Sequence, residues 1–373
     1  MSMDTTSGRR TRLGIVGLGL ITQSVHLPNL RAMADRFEIV RVCDLSASVA
    51  ERIAADLGAA HGTAAQEVID DPAVDAVLLG TPGAHSGLAR RALEAGKHVF
   101  AEKPYAYDPA VAERDAVFAA SAGLVLQVGY MKMYEPAMAE ARRRLPEIGA
   151  VRLVRMTVLH PSDEHQTTGI PVLRGSDVSD DVIEAAVAAN RREVADALAA
   201  DPLVDPVLFR NVLHGSVCHQ AAVLRALLPN DEASVSWADA DTASAGERTG
   251  PPRLQVAGRL SGGAQWSLSW NWLADHPEYS EWVEVFGDAG SMRIDLPGPY
   301  GDRTSATLTV TSAAVTEETS SNGGFWDPGE PGAFVRELAA FSDAIRGGAP
   351  VLSTAEGAAA DAGLLREIAR RLV

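Results

Sequence analysis

The chain predicts an α/β fold: a doubly wound parallel sheet, then a second α/β domain whose sheet is open and mostly antiparallel. Three observations carry this. Up to about residue 129, runs that are apolar throughout alternate with amphipathic helical stretches, the pattern of parallel strands covered on both faces. Beyond it the strand-like runs alternate apolar with polar residues, as strands with one solvated or partner-covered face do. A length of 373 residues is too great for one small core and calls for two domains.

In the first region, residues 13–17 (LGIVG), 38–43 (EIVRVC), 75–80 (DAVLLG), 98–101 (HVFA) and 124–129 (LVLQVG) read as strands. Residues 21–34, 47–57, 85–95 and 109–122 carry the helical period between them and serve as right-handed crossovers. In the second, strands are expected at 151–159, 253–260, 264–270, 282–286, 291–294 and 307–310. Turn residues such as Ser261-Gly262-Gly263 and Gly287-Asp288-Ala289-Gly290 join several of them. Helices are expected near 180–200 and 208–228, and a last pair at 333–346 and 354–372 closes the chain, able to pack back on the first domain. The domains are therefore set at 1–128 and 129–373, with 238–252 as a surface loop.

Thirty-three basic residues against 49 acidic ones leave a net charge of −16, which excludes nonspecific nucleic-acid binding of the kind that needs a basic face. Cys43 and Cys218 lie in apolar runs and are too few for a disulfide framework, so buried thiols are expected. No stretch approaches the ~20 apolar residues of a membrane span. Residues 1–11 lack the apolar centre of a signal peptide. A cytoplasmic location without a membrane partner is the expectation.

Gly17-Leu18-Gly19 follows a strand and opens a helix. Glycine there lets the chain turn tightly and brings backbone N–H groups against a pyrophosphate, and the helix N-terminus favours the anion. Thr22 replaces the third glycine of the usual fingerprint, which predicts slightly wider packing of helix on strand. Asp44 ends the second strand, where a carboxylate accepts hydrogen bonds from the adenosine ribose and repels a 2′-phosphate. NAD is therefore expected over NADP, with Arg41 nearby as the reservation. Glu102-Lys103-Pro104 follows the fourth expected strand at its carboxyl end, the ligand edge of such sheets. An ammonium there can sit beside a carbinol oxygen, and proline, following a cis bond, would fix where the lysine points.

Together, GLGLITQSVHLPNL (17–30), VCDLS (42–46), TPGAHSGLARRALEAGKHVFAEKP (81–104), EVFGDAGSMRID (284–295) and FVRELAAFSDAIRGGAP (334–350) resemble the glucose–fructose oxidoreductase / inositol dehydrogenase (Gfo/Idh/MocA) family. The resemblance implies a Rossmann domain, an open-sheet second domain, a nicotinamide cofactor and a sugar or cyclitol substrate. It also implies that Gly17, Leu18, Gly19, Leu20, Ile21, Asp44, Leu45, Thr81, Pro82, His85, Glu102 and Lys103 line the cofactor. The Thr81–His85 loop is one residue shorter than is common in the family.

In the family's sugar and inositol dehydrogenases an aspartate lies four residues before a histidine on one helix. Here His219 holds the histidine position and Gly215 the aspartate position. His219 remains a candidate general acid/base, with its tautomer set by some other group. Tyr130 and Lys132 are candidate substrate contacts, in a segment where Met131 and Met133 replace the polar residues of similar proteins. His214 and Cys218 stand at i, i+4 but lack partners to complete a metal shell, so no metal is expected. Trp266, Trp270 and Trp272 read as sheet core or an oligomer interface, with sugar stacking as the other use. Helix 180–200 reads as packed scaffold with Ile183, Val187, Val194 and Leu198 inward, or as a lid.

The leading expectation is reversible hydride transfer between NAD(H) and a secondary alcohol or ketone, with Lys103 shuttling the proton and His219 assisting. Two rivals stand beside it: permanently bound NAD used for transient oxidation with elimination or rearrangement, and a non-catalytic dinucleotide-binding regulator. An apolar open sheet face predicts a homodimer or homotetramer.

Overall fold

The structure is a computed structural model and describes residues 9–241, 253–298, 300, 306–312, 316–320 and 331–373. In chain order, β1 (Thr11–Val16) leads through a π-helical turn, Thr22–His26, into α1 (Leu27–Ala32). Then come β2 (Phe37–Cys43), α2 (Ala47–Leu57), β3 (Ala60–Gly62), α3 (Ala65–Ile69) and β4 (Ala76–Leu79). α4 (Ser86–Glu94), β5 (His98–Glu102), α5 (Pro109–Ser121) and β6 (Leu126–Gly129) complete a six-stranded sheet in the order β3-β2-β1-β4-β5-β6. Every pairing in it is parallel.

The chain continues through α6 (Pro136–Arg144), β7 (Val151–His160), α7 (Asp163–Thr167), α8 (Asp180–Ala197) and a π-helical segment, Leu208–Val217, into α9 (Cys218–Leu227). β8 (Ala233–Ala240), β9 (Arg253–Leu260), β10 (Gln265–Trp272), β11 (Ser280–Gly287), β12 (Gly290–Leu296), β13 (Thr307–Ser312) and β14 (Thr316–Ser320) follow. With β7 they form an eight-stranded sheet, antiparallel except where β10 runs parallel to β7. α10 (Ala333–Ile345) and α11 (Ala355–Arg371) end the chain.

Two compact units result. The first takes the described residues of Met1–Tyr130 together with Ile170–Ala199 and Phe334–Ala360; the second takes those of Met131–Gly169, Ala200–Ala333 and Asp361–Val373. Segments 170–199 and 334–360 thus return to the first unit after the chain has begun the second.

In the first unit Leu13, Ile15, Leu78 and Phe100 are fully buried and pack with Leu338 and Phe341 of α10, which is why these strands are apolar throughout. Gln127 Nε2 donates to the Glu337 carbonyl at 2.9 Å and Val128 N to the Ser353 carbonyl at 2.9 Å, so α10 and its sequel close the β6 edge. α2 begins at Ser46, whose hydroxyl accepts from Val49 N, and stops at Gly58 in the left-handed region. In the second unit the alternation is direct: Val154, Met156 and Val158 of β7, Trp266, Leu268 and Trp270 of β10, and Glu281, Val283 and Val285 of β11 are buried, while their neighbours are not.

Several expectations are corrected. The strand expected third is β4, because β3 (AHG) and α3 precede it; three residues at a sheet edge, two of them exposed, leave no apolar run to read. β8, β14, α6 and α7 were likewise not anticipated. Residues 238–240 belong to β8 rather than to a loop, and 242–252 lie outside the described residues. In α8 only the C-terminal end packs: Val194 and Leu198 are buried, whereas Ile183 and Val187 are 47% and 41% exposed.

Candidate active site

The glycine turn is built by close backbone approach. Gly17 has φ +90°, and a Cβ there would stand 2.8 Å from the backbone of Gly80 and Thr81, at the end of β4. Gly17 N donates to the Cys43 carbonyl and Gly80 N to the Val16 carbonyl, both at 2.8 Å. Three strand ends are thereby drawn together. Gly19 is exposed, with nothing within 4 Å of where its Cβ would stand. That open space beside a run of backbone N–H groups fits a diphosphate. Thr22 is fully buried, and its hydroxyl donates to the Gly17 carbonyl at 2.7 Å. The room it needs is found at Gly80, where a Cβ would lie 2.4 Å from Thr22 Oγ1.

At the end of β2, Asp44 accepts Leu18 N on Oδ2 at 2.8 Å and Ser46 N on Oδ1 at 2.9 Å. Each oxygen keeps a lone pair for a ribose hydroxyl. Arg41 turns away: its Nε donates to Asp71 Oδ2 at 2.6 Å. Leu45 is 54% exposed at this rim, Pro82 is exposed, and Leu20, Ile21 and Thr81 are half-buried. Leu18 is instead a core side chain, and its N–H is given to Asp44.

Lys103 follows β5 and is half-buried, with a cis bond to Pro104. Its backbone N donates to Glu102 Oε2 at 3.2 Å. Glu102 Oε1 lies 2.8 Å from Nε2 of the fully buried His26. Burial pushes the Glu102 carboxyl up, but the His26 contact, with Lys103 and His85 near, outweighs this and holds it below its ordinary value. His85 is buried as a strut, Nδ1 3.0 Å from the Pro104 carbonyl and Nε2 2.8 Å from the Thr81 carbonyl. Burial lowers its pKa; as a neutral ring it donates to one carbonyl at a time. Glu102 and His85 thus fix the lysine turn from beneath, and Glu102 is only 7% exposed. His26 was not read as a site residue; it lies 76 positions from its partner. Fully buried Glu337 was missed too, and burial, then the charge of Glu102, pushes its carboxyl well above the ordinary value.

In the second unit Lys132, 4% exposed, is neither a solvated cation nor an open one. Its ammonium pairs with Glu281 Oε2 and lies 3.2 Å from the Tyr279 hydroxyl. Tyr279 donates to the same Glu281 oxygen, and Gln220 Nε2 to Oε1 at 2.9 Å. Burial, then Glu281, pushes the Tyr279 pKa well up, so the hydroxyl keeps its proton. No sequence motif announced this network, whose ends lie 149 positions apart.

His219 is 8% exposed, in the first turn of α9 next to Gln220. Tyr130 is buried at the end of β6. His214 packs its ring edge-on against Phe209, and burial, with Arg366, pushes its pKa down to about 3. Cys218 Sγ donates to the His214 carbonyl at 3.1 Å, and both cysteines are buried thiols. Among the described residues no three His, Cys, Asp or Glu side chains gather as a metal site. Trp266 and Trp270 are core, with Trp270 Nε1 donating to Ser216 Oγ at 2.9 Å, while Trp272 stacks on His160 at 5.1 Å.

The model of an oxidoreductase family with an NAD-binding Rossmann fold, Gfo/Idh/MocA, matches residues 11–130. The chain is 33% identical over 144 residues to scyllo-inositol 2-dehydrogenase (NAD(+)) of Bacillus subtilis, covering 38% of this chain and 42% of that protein. It is 38% identical over 143 residues to inositol 2-dehydrogenase 4 of Saccharopolyspora erythraea, covering 37% and 42%. These matches span less than half of either relative. Among solved structures, the 3-ketoreductase KijD10 of Actinomadura kijaniata, in complex with TDP-benzene and NADP, superposes with a TM-score of 0.70 at 19% identity, covering 96% of this chain and 97% of that one. An oxidoreductase of Thermotoga maritima does so with a TM-score of 0.70 at 20% identity, covering 97% and 96%. At such identity these two show the fold alone. The glycine turn, the acidic β2 end and the Glu102-Lys103-Pro104 turn all lie within the segment, residues 11–130, that the Gfo/Idh/MocA oxidoreductase model matches.

Proposed function

We propose that the protein is an NAD(H)-dependent oxidoreductase acting on a secondary alcohol or ketone of a sugar, a cyclitol or a related small molecule. The observation that carries this is the placement of Lys103 on a turn pinned by Glu102 and His85, on the same strand-end edge as the glycine turn. The names of the inositol dehydrogenases support the substrate class. Gly17 and Leu18, whose N–H groups are given to Cys43 and Asp44, would shape the turn, Gly19 with Leu20 and Ile21 at the helix start would hold the diphosphate, and Asp44 the ribose. A bound nicotinamide supplies hydride exchange with the carbon that bears the reacting oxygen. Lys103 binds that oxygen and moves its proton, accepting it on Nζ in oxidation and returning it in reduction. His219 assists as a second acid/base. Tyr130 and Lys132 complete the substrate side, Lys132 through the N–H that Glu281 and Tyr279 leave over. The location is cytoplasmic, and no helix among the described residues is long and apolar enough to cross a membrane.

The outer face of the eight-stranded sheet carries half-buried Leu153, Leu159, Trp282 and Phe286, with Arg293 over the Trp282 ring at 4.8 Å. A homodimer or homotetramer through this face is part of the proposal.

The test is absorbance at the NADH band with purified protein, NAD and a panel of inositols, hexoses and keto-sugars. At least one cyclic polyol should give turnover. Dinucleotide binding without turnover on the whole panel would instead favour a regulator. One observation favours a second enzyme reading, transient oxidation by retained NAD: residues 173–177 are tied to the cofactor rim at Gln23 and Ser46. NAD that survives purification, with no net NADH formed as substrate is consumed, would select it.

A further inference from the structure

Segment 170–199 belongs to the first unit, and its early part is fastened to the dinucleotide rim at two points. Leu173 N donates to Gln23 Oε1 at 2.8 Å, and Gln23 Nε2 donates to the Leu173 carbonyl at 2.9 Å and to the Leu18 carbonyl at 2.6 Å. Four residues on, the carboxylate of Asp177 enters the first turn of α2. Its Oδ1 accepts Ser46 Oγ at 2.5 Å and Ser48 Oγ at 2.9 Å, and its Oδ2 accepts Ser48 N at 3.0 Å. The approach is tight: a Cβ on Gly175 would stand 1.9 Å from Ser46 Oγ. These donors hold the Asp177 carboxyl below its ordinary range, Ser46 first and Ser48 next, so it is an anion at neutral pH.

The place decides what this anion does. Asp44 follows β2, where the adenosine ribose hydroxyls would be bound, and Ser46 and Ser48 lie two and four residues further on. The first turn of a helix gathers unsatisfied N–H groups and favours negative charge. A 2′-phosphate on that ribose would look to these donors or to a nearby arginine. Here the two hydroxyls and the Ser48 amide are already satisfied by a carboxylate of the same chain, and Arg41 is spent on Asp71. NADP would have to displace Asp177 and sit between two carboxylates. NAD, ending in a neutral hydroxyl, meets neither obstacle.

We propose that Asp177 is a cofactor-specificity residue: it occupies the anion site at the first turn of α2 and keeps the dinucleotide crevice for NAD against NADP. The inference rests on the NAD reading of that crevice. It is independent of which substrate is oxidised. The structures of this fold include one in complex with NADP, so the choice has to be made by side chains rather than by the architecture.

Calorimetric titration of the full-length protein with NAD and with NADP tests this without any substrate. Wild type should bind NAD more tightly, by ~10-fold or more. Asp177→Ala should tighten NADP by ~10-fold, the scale of losing one like charge at a solvated site, while the NAD dissociation constant moves less than about threefold. Asp177→Asn keeps the shape without the charge and should give an intermediate gain. Thermal melting of each variant confirms that it is folded. An unchanged NADP/NAD ratio in folded variants that still bind NAD overturns the proposal, as does an equal loss of both dinucleotides, which would make Asp177 a mere brace of the α2 turn. A wild-type protein that binds neither dinucleotide overturns the NAD reading itself and the proposal with it.

Discussion

The two units use their buried charges in opposite ways. In the first, His26, Glu102 and His85 lie under one turn and hold the backbone on which Lys103 is presented, half-buried and at a strand end. In the second, the cation most visible in the sequence, Lys132, is itself the buried member, locked to Glu281 and Tyr279. The same residue type is therefore half-buried at a strand end in one unit and held in a buried ion pair in the other. What separates them is the partner each finds across the fold, not the local sequence.

Four substitutions and one rescue would break or sharpen that contrast. The largest effect is expected at the buried pair. Glu281→Ala leaves the Lys132 ammonium buried without its partner, and removing one member of a buried pair costs about 3–5 kcal/mol. Urea unfolding should show this loss, and Lys132→Met in the same background should recover much of it. If Glu281→Ala unfolds within about 1 kcal/mol of wild type, the pair is not buried as described above.

Gly17→Ala comes next. Its φ of +90° and its 2.8 Å approach to Gly80 and Thr81 both oppose a side chain, so about 2–3 kcal/mol of strain and overpacking is expected. NAD affinity should fall by ~10-fold or more in protein that remains folded. Unaltered affinity would mean the diphosphate does not depend on this turn.

The smallest effect concerns two buried carboxyls of the first unit, Glu102 and Glu337, and its sign differs between them. The Glu102 carboxyl is lowered, so its contribution to stability is present above the unfolded value and is lost as the pH falls through the folded one. The Glu337 carboxyl is raised by burial, so the folded chain retains a proton that the unfolded chain releases, and stability falls as pH rises above the unfolded value. Glu337→Gln should therefore gain on wild type as pH rises, and Glu102→Gln should lose on it. Thermal melts from pH 4 to 8 read both trends. Parallel trends in the two variants would contradict the assignment.

The legibility of the chain follows the same division. α2 could be bounded to the residue because Ser46 caps it and Gly58 stops it. The positions of the glycine turn, Asp44 and Lys103 were readable because each lies within a few residues of a strand end whose apolar run is itself conspicuous. β3 was not, since an exposed three-residue edge strand has no pattern to show. The wider packing expected from Thr22 was answered at Gly80, 58 positions away. Glu281, His26 and Asp177 escaped notice for a shared reason: each is defined by a partner 76 to 149 positions distant, and only the fold supplies that partner.

The central claim is that Lys103 moves the proton while the crevice holds the dinucleotide independently of it. Single-turnover hydride transfer in Lys103→Met against wild type, at saturating NAD and substrate, tests it most directly. A rate lower by ~10² or more with an unchanged NAD dissociation constant is the predicted result. Equal rates in the two proteins would contradict it.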